Sequence, residues 1–360
     1  MQTIPLVDVR AEYEPLIPRL EAAFREVLEG GRFIRGANYW AFEEEAAAYL
    51  GVQRAIGVAN GTDALVLALD ALGIGPGDEV ICPAFTFYAT AESIAQRGAV
   101  PVFADIDPVT LNLDVDDAAA RVTERTRAII PVHLFGRPMD IRPLVELGVP
   151  VLEDAAQAFG APEVAQRGAI STFSFFPTKN LFCLGDGGLV ATNDEELADR
   201  VRLLSFHGSR DKTDFDLVGY NSRLDELQAA FLRIFLPELA GWNEGRRAAA
   251  ARYAELGLGN LVEIPQDEAG HVYHLFVCRS PERETIRTAL AEAGIASATY
   301  YTTPLHLQPS LRHLGYEAGS LPATEQAGAE NFSLPLWPGI AVEAQERVVD
   351  VVRSAVPSRV

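Results

Sequence analysis

Lysine is almost absent from this chain. Lys179 and Lys212 are its only two, and arginine supplies the other 28 of 30 basic residues. Cysteine is nearly as scarce. Cys82, Cys183 and Cys278 lie far apart with no CxxC pair and no Cys/His metal spacing, which excludes a disulfide framework and points to a reducing compartment. Positive charge is in deficit too: a formal net charge of -20 over 360 residues excludes general binding to nucleic acid or to anionic membrane, because both would be repelled over most of the surface. An anionic small molecule is still admissible where a few arginines and backbone amides make a pocket locally positive. No apolar run reaches bilayer-spanning length, and the start MQTIPLVDVRAEYEPL lacks the basic and apolar regions of a secretory signal. The expectation is a cytoplasmic protein of one large or two ordinary domains, without repeats or low-complexity tracts.

What the chain does have, from residue 52 to about 190, is alternation. Strand-like runs VQRAIGVA, EVICPA, VPVFADI, RAIIPVHLFG, VPVLEDAAQ, STFSFFP and GGLVATN are separated in several places by helical patterns such as TDALVLALDALG, TFYATAESIAQRG and DIRPLVELG. Apolar strands joined through helices predict an α/β domain with a mainly parallel central sheet covered by helices on both faces. Beyond it, EELADRVRLLSFHG, SRLDELQAAFLRIFLPELAGW and EGRRAAAARYAELG read as helices, the second long enough to connect domains. HVYHLFVCRS reads as a strand, and PERETIRTALAEAG and VEAQERVVDVVRSAV as amphipathic helices. This divides the chain into a large α/β domain with an N-terminal arm (1–240) and a smaller α+β C-terminal domain (241–360).

The chemistry-bearing residues gather where strands end. Lys179 sits in FSFFPTKNLFCLGDGG among aromatic and apolar neighbours, in a chain that otherwise chooses arginine. What lysine can do and arginine cannot is lose its proton and become a nucleophilic amine. VPVLEDAAQAFG ends a strand in Glu153 and Asp154, with Gln157 three residues on; one carboxylate faces inward and needs a cation, or else Asp154 is a helix cap. In ANGTDALVLALDALG, Gly61 and Thr62 stand between a strand and a helix, where free N–H groups and a hydroxyl suit a phosphate; the ordinary alternative is a cap made by Asn60 or Thr62. CPAFTFYATAES offers Phe85, Phe87 and Tyr88, one of which could stack on a flat cofactor while the others pack, and Ser174 adds a second hydroxyl. A nucleophilic lysine, an inward carboxylate, a ring to stack and a phosphate cradle are together the needs of pyridoxal 5'-phosphate. His133 reads as structural, and His271 and His274, three apart on a strand, would face opposite ways and share no metal.

The motifs NGTDAL, PAFTFYATAE, PVFADIDP, IIPVHLFG, LEDAAQAFGA, FSFFPTKNLFCLGDGG, GYNSRLDELQAA and TPLHLQP resemble, nearly end to end, the DegT/StrS family of nucleotide-sugar aminotransferases. The resemblance implies the fold type I architecture of pyridoxal-phosphate transferases. It also implies Lys179 as the covalent cofactor lysine, Asp154 at the pyridine nitrogen, Gln157 beside the phenolic oxygen and Phe87 over the ring. Gly61, Thr62 and Ser174 would hold the phosphate with Asn221 of a second subunit, making a homodimer with shared sites. Arg223 of that neighbour would touch the sugar nucleotide, with Phe33, Arg35, Tyr301 and His306 as further substrate-facing residues. L-Glutamate would donate the amino group and a keto sugar linked to TDP or UDP would accept it, at carbon 3 in preference to carbon 4. The segments YYTTPLH and GANYW, and Trp337 in LPLWPG, depart from the usual pattern, so the sugar pocket is expected to differ while the cofactor core is kept.

Three rivals are disfavoured. A sugar dehydratase of this family would carry histidine in place of Lys179. A nicotinamide-dependent dehydrogenase would need GxGxxG after a strand, whereas LGIGPGDEV ends a helix and lacks the third glycine. A non-enzymatic regulator would have no use for the lysine-carboxylate pair.

Overall fold

A computed structural model describes residues 3–356. Seven strands form the main sheet: β1 (Arg54–Val58), β2 (Glu79–Pro83), β3 (Val100–Ala104), β4 (Thr126–Ile129), β5 (Leu152–Asp154), β6 (Ile170–Ser174) and β7 (Gly188–Thr192). All seven were legible as strand-like runs. Two ladders, β1-β7-β6-β5 and β3-β2-β4, are joined by parallel bridges from Ile129 to Val151 and from Val132 to Asp154. Only β7 runs antiparallel, to β1 on one side and β6 on the other. The carboxyl ends of β1, β2, β5 and β6 therefore share one edge, and the start of β7 lies there too. The register is direct: Gly188 is opposite both Val58 and Ser174.

Side-chain alternation sends the two faces of these strands to different cores. On β7, Leu189 and Ala191 join Phe42, Phe173, Phe175, Phe182 and Phe235, while Val190 joins Leu65, Val80, Phe103 and Ile170. Strands buried on both faces are what a parallel sheet between helical layers demands. A third core, with Tyr253, Phe276, Ile286, Phe332 and Val348, fills the C-terminal unit around the antiparallel pair β8 (Phe276–Arg279) and β9 (Asn331–Leu334). Trp337 is buried in this core, so that departure serves packing and not a sugar pocket.

Three sequence expectations change in detail. The long connecting helix is broken: Glu226–Phe235 ends in a 3-10 turn, Leu236–Glu238, and a second helix, Leu239–Glu255, absorbs both Trp242 and the run after it. Pro237 in that turn has no N–H to continue the first helix. HVYH is not strand; β8 begins only at Phe276, because the N–H of Val272 is taken by the carbonyl of Gly136 in a turn of the large unit. DIRPLVELG yields only the short helix Arg142–Val145. The chain also crosses between units: Ile4 packs in the C-terminal core, while Leu305, Leu311 and Leu321 return to the large one.

The glycines of GDGG follow from crowding at the shared edge. A Cβ on Gly188 would overlap the backbone carbonyl of Asn60 and approach the Gly61 nitrogen to 3.0 Å, and one on Gly187 would meet the Cys183 sulfur at 2.5 Å. Backbone cannot move aside as a flexible side chain can. Gly188→Ala should therefore cost about 1–3 kcal/mol, the range for overpacking a filled site, seen as a lower Tm.

Candidate active site

Adjacent strand residues point to opposite faces, and β5 separates its two carboxylates accordingly. Glu153 is answered by protein groups. It accepts from His133 Nε2 at 2.9 Å, Ser171 Oγ at 3.1 Å and the N–H groups of Gly168 and Ala165. Burial works to raise this carboxyl, but the His133 bond and the others bring it below its usual value. His133 Nδ1 accepts from the Met139 N–H at 2.9 Å, so the ring is a structural link, as expected.

Asp154 is the inward carboxylate. It is 5 % exposed and accepts from Thr90 Oγ1 at 2.8 Å and the Ala156 N–H at 3.2 Å. Burial raises its pKa against those bonds and against the charge of Lys179. Lys179 meets the mirror image of this problem: burial lowers its amine to about 8, with Asp154 working the other way. In both groups desolvation outweighs mutual attraction. The pair holds a reactive amine beside an acid whose charge calls for a further cation.

Lys179 reaches this place because β6 ends at Ser174 and the chain turns, Lys179 N–H donating to the Phe176 carbonyl at 2.8 Å. Its neighbour Asn180 is buried and donates from Nδ2 to Asn243 Oδ1 at 2.7 Å and to the Val272 carbonyl at 2.8 Å. The lysine is thus tied to the second unit, where His274 Nε2 stands 3.5 Å from its Nζ.

The anion cradle sits at the same edge. Asn60 caps the helix Gly61–Ala71, accepting from the Asp63 N–H at 2.8 Å, which realises the cap reading. That cap does not exhaust the helix start, since the N–H groups of Gly61 and Thr62 have no partner within an α-helix. A Cβ on Gly61 would stand 2.7 Å from Ser174 Cβ and 3.2 Å from its Oγ, so the two predicted phosphate-holding segments touch. The missing side chain of Gly61 is what lets the helix start lie this close to the end of β6.

Of the three candidate rings, Phe85 is fully buried, Tyr88 donates to or accepts from Ser310 Oγ at 2.8 Å, and Phe87 is 57 % exposed and free to lie on a ligand. Phe87 also leans on Tyr301 at 6.1 Å between centroids. Gln157 accepts the Phe135 N–H at 2.7 Å and donates to Tyr301 Oη at 3.2 Å, so Tyr301 belongs to this cluster. His306 is placed differently: it is buried, paired with Glu325 at 3.2 Å and edge-on to Tyr316, bracing the segment that carries Tyr301.

Arg35 and Arg223 converge elsewhere, on Phe206. Their guanidinium carbons lie 3.9 and 5.6 Å from its ring centre, and Lys212 Nζ lies 4.9 Å from it. Buried nitrogens of both arginines, Nε and Nη2 of Arg35 and Nη1 of Arg223, lack hydrogen-bond partners. Three cations around one ring form an anion-attracting patch in an acidic chain. Phe33 is 52 % exposed next to it, and Asn221, bridged to Phe206, is exposed on the single chain. Sequence reading missed Thr90, His274 and Lys212. Thr90 was visible as a hydroxyl in the first turn after FTFY, and His274 was hidden by the strand reading of HVYH.

A reactive amine, a buried carboxylate, an exposed ring and an anion cradle at one edge fit pyridoxal phosphate, and the Gly61–Ser174 approach, which a side chain would fill, is the observation that tests the fit. The chain belongs to the DegT/DnrJ/EryC1/StrS aminotransferase family, which matches residues 17–353. It is 47 % identical to a pleiotropic regulatory protein of Geobacillus stearothermophilus, over 97 % of both chains. It is 44 % identical to a UDP-N-acetyl-3-dehydro-alpha-D-glucosamine 3-aminotransferase of Acidithiobacillus ferrooxidans, again over 97 % of each. The crystal structure of S. venezuelae DesV in complex with a ketimine intermediate superimposes with a TM-score of 0.94, at 42 % identity and 98 % coverage of both chains. The fold is thus that of the pyridoxal-phosphate aminotransferases, and the protein is a sugar aminotransferase with that cofactor. No helix among the described residues is long and apolar enough to cross a membrane.

An amine near 8 has a definite pH signature. Only the neutral amine attacks an aldehyde, so covalent capture of pyridoxal phosphate by the cofactor-stripped protein should rise with pH and level off above about 8, where an unperturbed lysine would still be climbing. Borohydride trapping across pH 6 to 10 measures it, and a midpoint near 10 would contradict the burial of Lys179.

Proposed function

We propose that this chain transfers the amino group of L-glutamate to carbon 3 of a keto sugar linked to UDP or TDP, working as a homodimer whose two sites each borrow residues from the neighbour. The observation that carries the reading is the meeting of Lys179, Asp154 and the Gly61–Ser174 cradle at the carboxyl edge of the sheet. The choice of carbon 3 is supported by the relative at 44 % identity, whose name specifies a 3-amino product.

Bound here, pyridoxal phosphate supplies an electron sink that lets an amino group pass between two carbonyl carbons. The protein's share is binding, orientation and proton handling. Lys179 would tether the cofactor and, when its amine is free, would take and return the proton of the donor's α-carbon. Asp154, already bonded to Thr90 and Ala156, would hold the ring nitrogen and keep it protonated. Gln157, fixed by Phe135 and Tyr301, would serve the cofactor's phenolic oxygen, and the exposed Phe87 would pack on its ring. Gly61 and Thr62 offer N–H groups and Ser174 its hydroxyl to the phosphate. Substrate contacts fall to Phe33, Arg35, Tyr301 and the neighbour's Arg223, with His306 supporting the Tyr301 segment.

The dimer reading rests on exposed apolar surface. Phe24 and Leu28 are 43 and 51 % exposed along a groove shared with Phe231, and Phe33, Phe176 and Leu184 are also uncovered. Asn221 stands exposed, available to a second chain. Complementation tests this: Lys179→Ala and Asn221→Ala proteins, each inactive alone, should regain activity when their subunits are exchanged, because one hybrid site has both residues intact. Failure to regain it would place Asn221 in its own chain's site.

Two further outcomes are expected. With L-glutamate as donor, a 3-keto nucleotide sugar should be aminated and its 4-keto isomer should not; amination of the 4-keto isomer alone would overturn the position. Arg35→Ala and Arg223→Ala should raise KM for the nucleotide sugar roughly 10- to 100-fold, the cost of one charge-assisted hydrogen bond, while the glutamate half-reaction keeps its rate.

A further inference from the structure

His274 is the one neighbour of Lys179 for which the reaction above has no use. Its place is fixed with care. Asn180, next to Lys179, grips the Val272 carbonyl; Val272 N–H donates to the Gly136 carbonyl at 2.9 Å; and a Cβ on Gly136 would stand 2.7 Å from the backbone nitrogen of His274. Gly136 has φ +91°, a conformation that suits glycine, so the turn opposite His274 can come this close only without a side chain. The same turn supplies the Phe135 N–H to Gln157. One piece of backbone thus sets both Gln157 and His274 against the Lys179 region.

The imidazole itself is buried, with Nε2 at 3.5 Å from Lys179 Nζ and no partner at Nδ1. The charged groups acting on it are Lys179 and Arg246, the latter fully buried and bonded to Glu12 at 2.6 Å. Burial, Lys179 and Arg246 all act to keep the ring neutral. No carboxylate is hydrogen-bonded to it from behind, as a ring meant to take up a proton would need. A neutral ring with its proton on Nδ1 presents Nε2 as an acceptor.

We propose that His274 is a positioning residue for Lys179, its Nε2 accepting a hydrogen bond from Nζ that aims the amine whenever Lys179 is not bonded to the cofactor. This rests on Lys179 being the cofactor lysine. A neutral acceptor orients the amine without removing its proton, so the proton is kept for the substrate carbon. The bond also favours the protonated amine, so deleting it lowers the pKa of Lys179.

The test compares wild type with His274→Leu and His274→Gln, the glutamine offering an amide near the position of Nε2. The first readout is borohydride-trapped capture of pyridoxal phosphate against pH. Wild-type capture at Lys179 establishes the underlying reading; its absence would defeat that reading and this proposal with it, whereas normal capture with an unmoved midpoint in the variants would defeat this proposal alone. The midpoint is expected to fall by half a pH unit or more in His274→Leu and to stay near wild type in His274→Gln, as a fold-change of about 3 in the ionisation constant or more. The second readout is the single-turnover glutamate half-reaction: a loss of about 10-fold or more in rate with KM within 3-fold for leucine, largely restored by glutamine, and a larger isotope effect with α-deuterated glutamate. If leucine unfolds the protein, His274→Phe takes its place with the same expectations. An unmoved midpoint, or equal losses in all variants that track Tm alone, would overturn the proposal.

Discussion

A carboxylate sunk in the end of a sheet is the constraint around which this molecule is arranged. Asp154 gives up water and receives only one hydroxyl and one amide in exchange, which is too little for a full negative charge in a poorly polarisable setting. The amine of Lys179, partly covered beside it, is under the opposite strain. Neither satisfies the other, and a cationic ring nitrogen between them would relieve one while the amine is consumed in a bond. The protein is thus built incomplete. Its neighbour Glu153, one residue earlier, shows what completion looks like when the chain does it alone: four donors, one of them a histidine locked in a single tautomer.

Topology explains why so many separate segments can serve one site. Reversal of β7 brings Gly188 across from Val58 and from Ser174 in one row, and the chain can place a helix start, a strand end and a lysine-bearing turn within a few ångströms. The crowding at that row excludes side chains, which is why the motif ends in glycines. The second unit is bound into the site through Asn180 and Val272, so the reactive lysine reports on the packing between units as well as on its own turn.

Much of this was legible in the sequence because the signals were local. Strand runs buried on both faces, a lone lysine in an aromatic stretch, and LEDAAQ each carry their meaning within a dozen residues. The motifs by themselves could not choose Phe87 over Phe85 and Tyr88, or Asp154 over Glu153, because facing is decided by distant neighbours; the family resemblance made both choices, and the exposure of Phe87 and the partners of Glu153 agree with them. The same holds for what was misread. Pro237 split a helix that periodicity had joined, HVYH was drawn away from its strand by the turn at Gly136, far earlier in the chain, and Trp337 found a core that LPLWPG could not advertise. Thr90 and His274 meet the site through partners 64 and 95 positions away in sequence, which no spacing rule reaches.

The scarcity of lysine has a meaning for a protein that lives with an aldehyde. Free pyridoxal phosphate condenses with any accessible neutral amine, and a lysine-rich surface would accumulate adducts that neither turn over nor serve the site. Arginine, guanidinium being too weakly nucleophilic, keeps solubility and ion pairing without that side reaction. Apart from the α-amino group, this chain offers an aldehyde two targets, one committed to chemistry and one held over Phe206 among arginines. Its surface is chemically quiet toward its own cofactor.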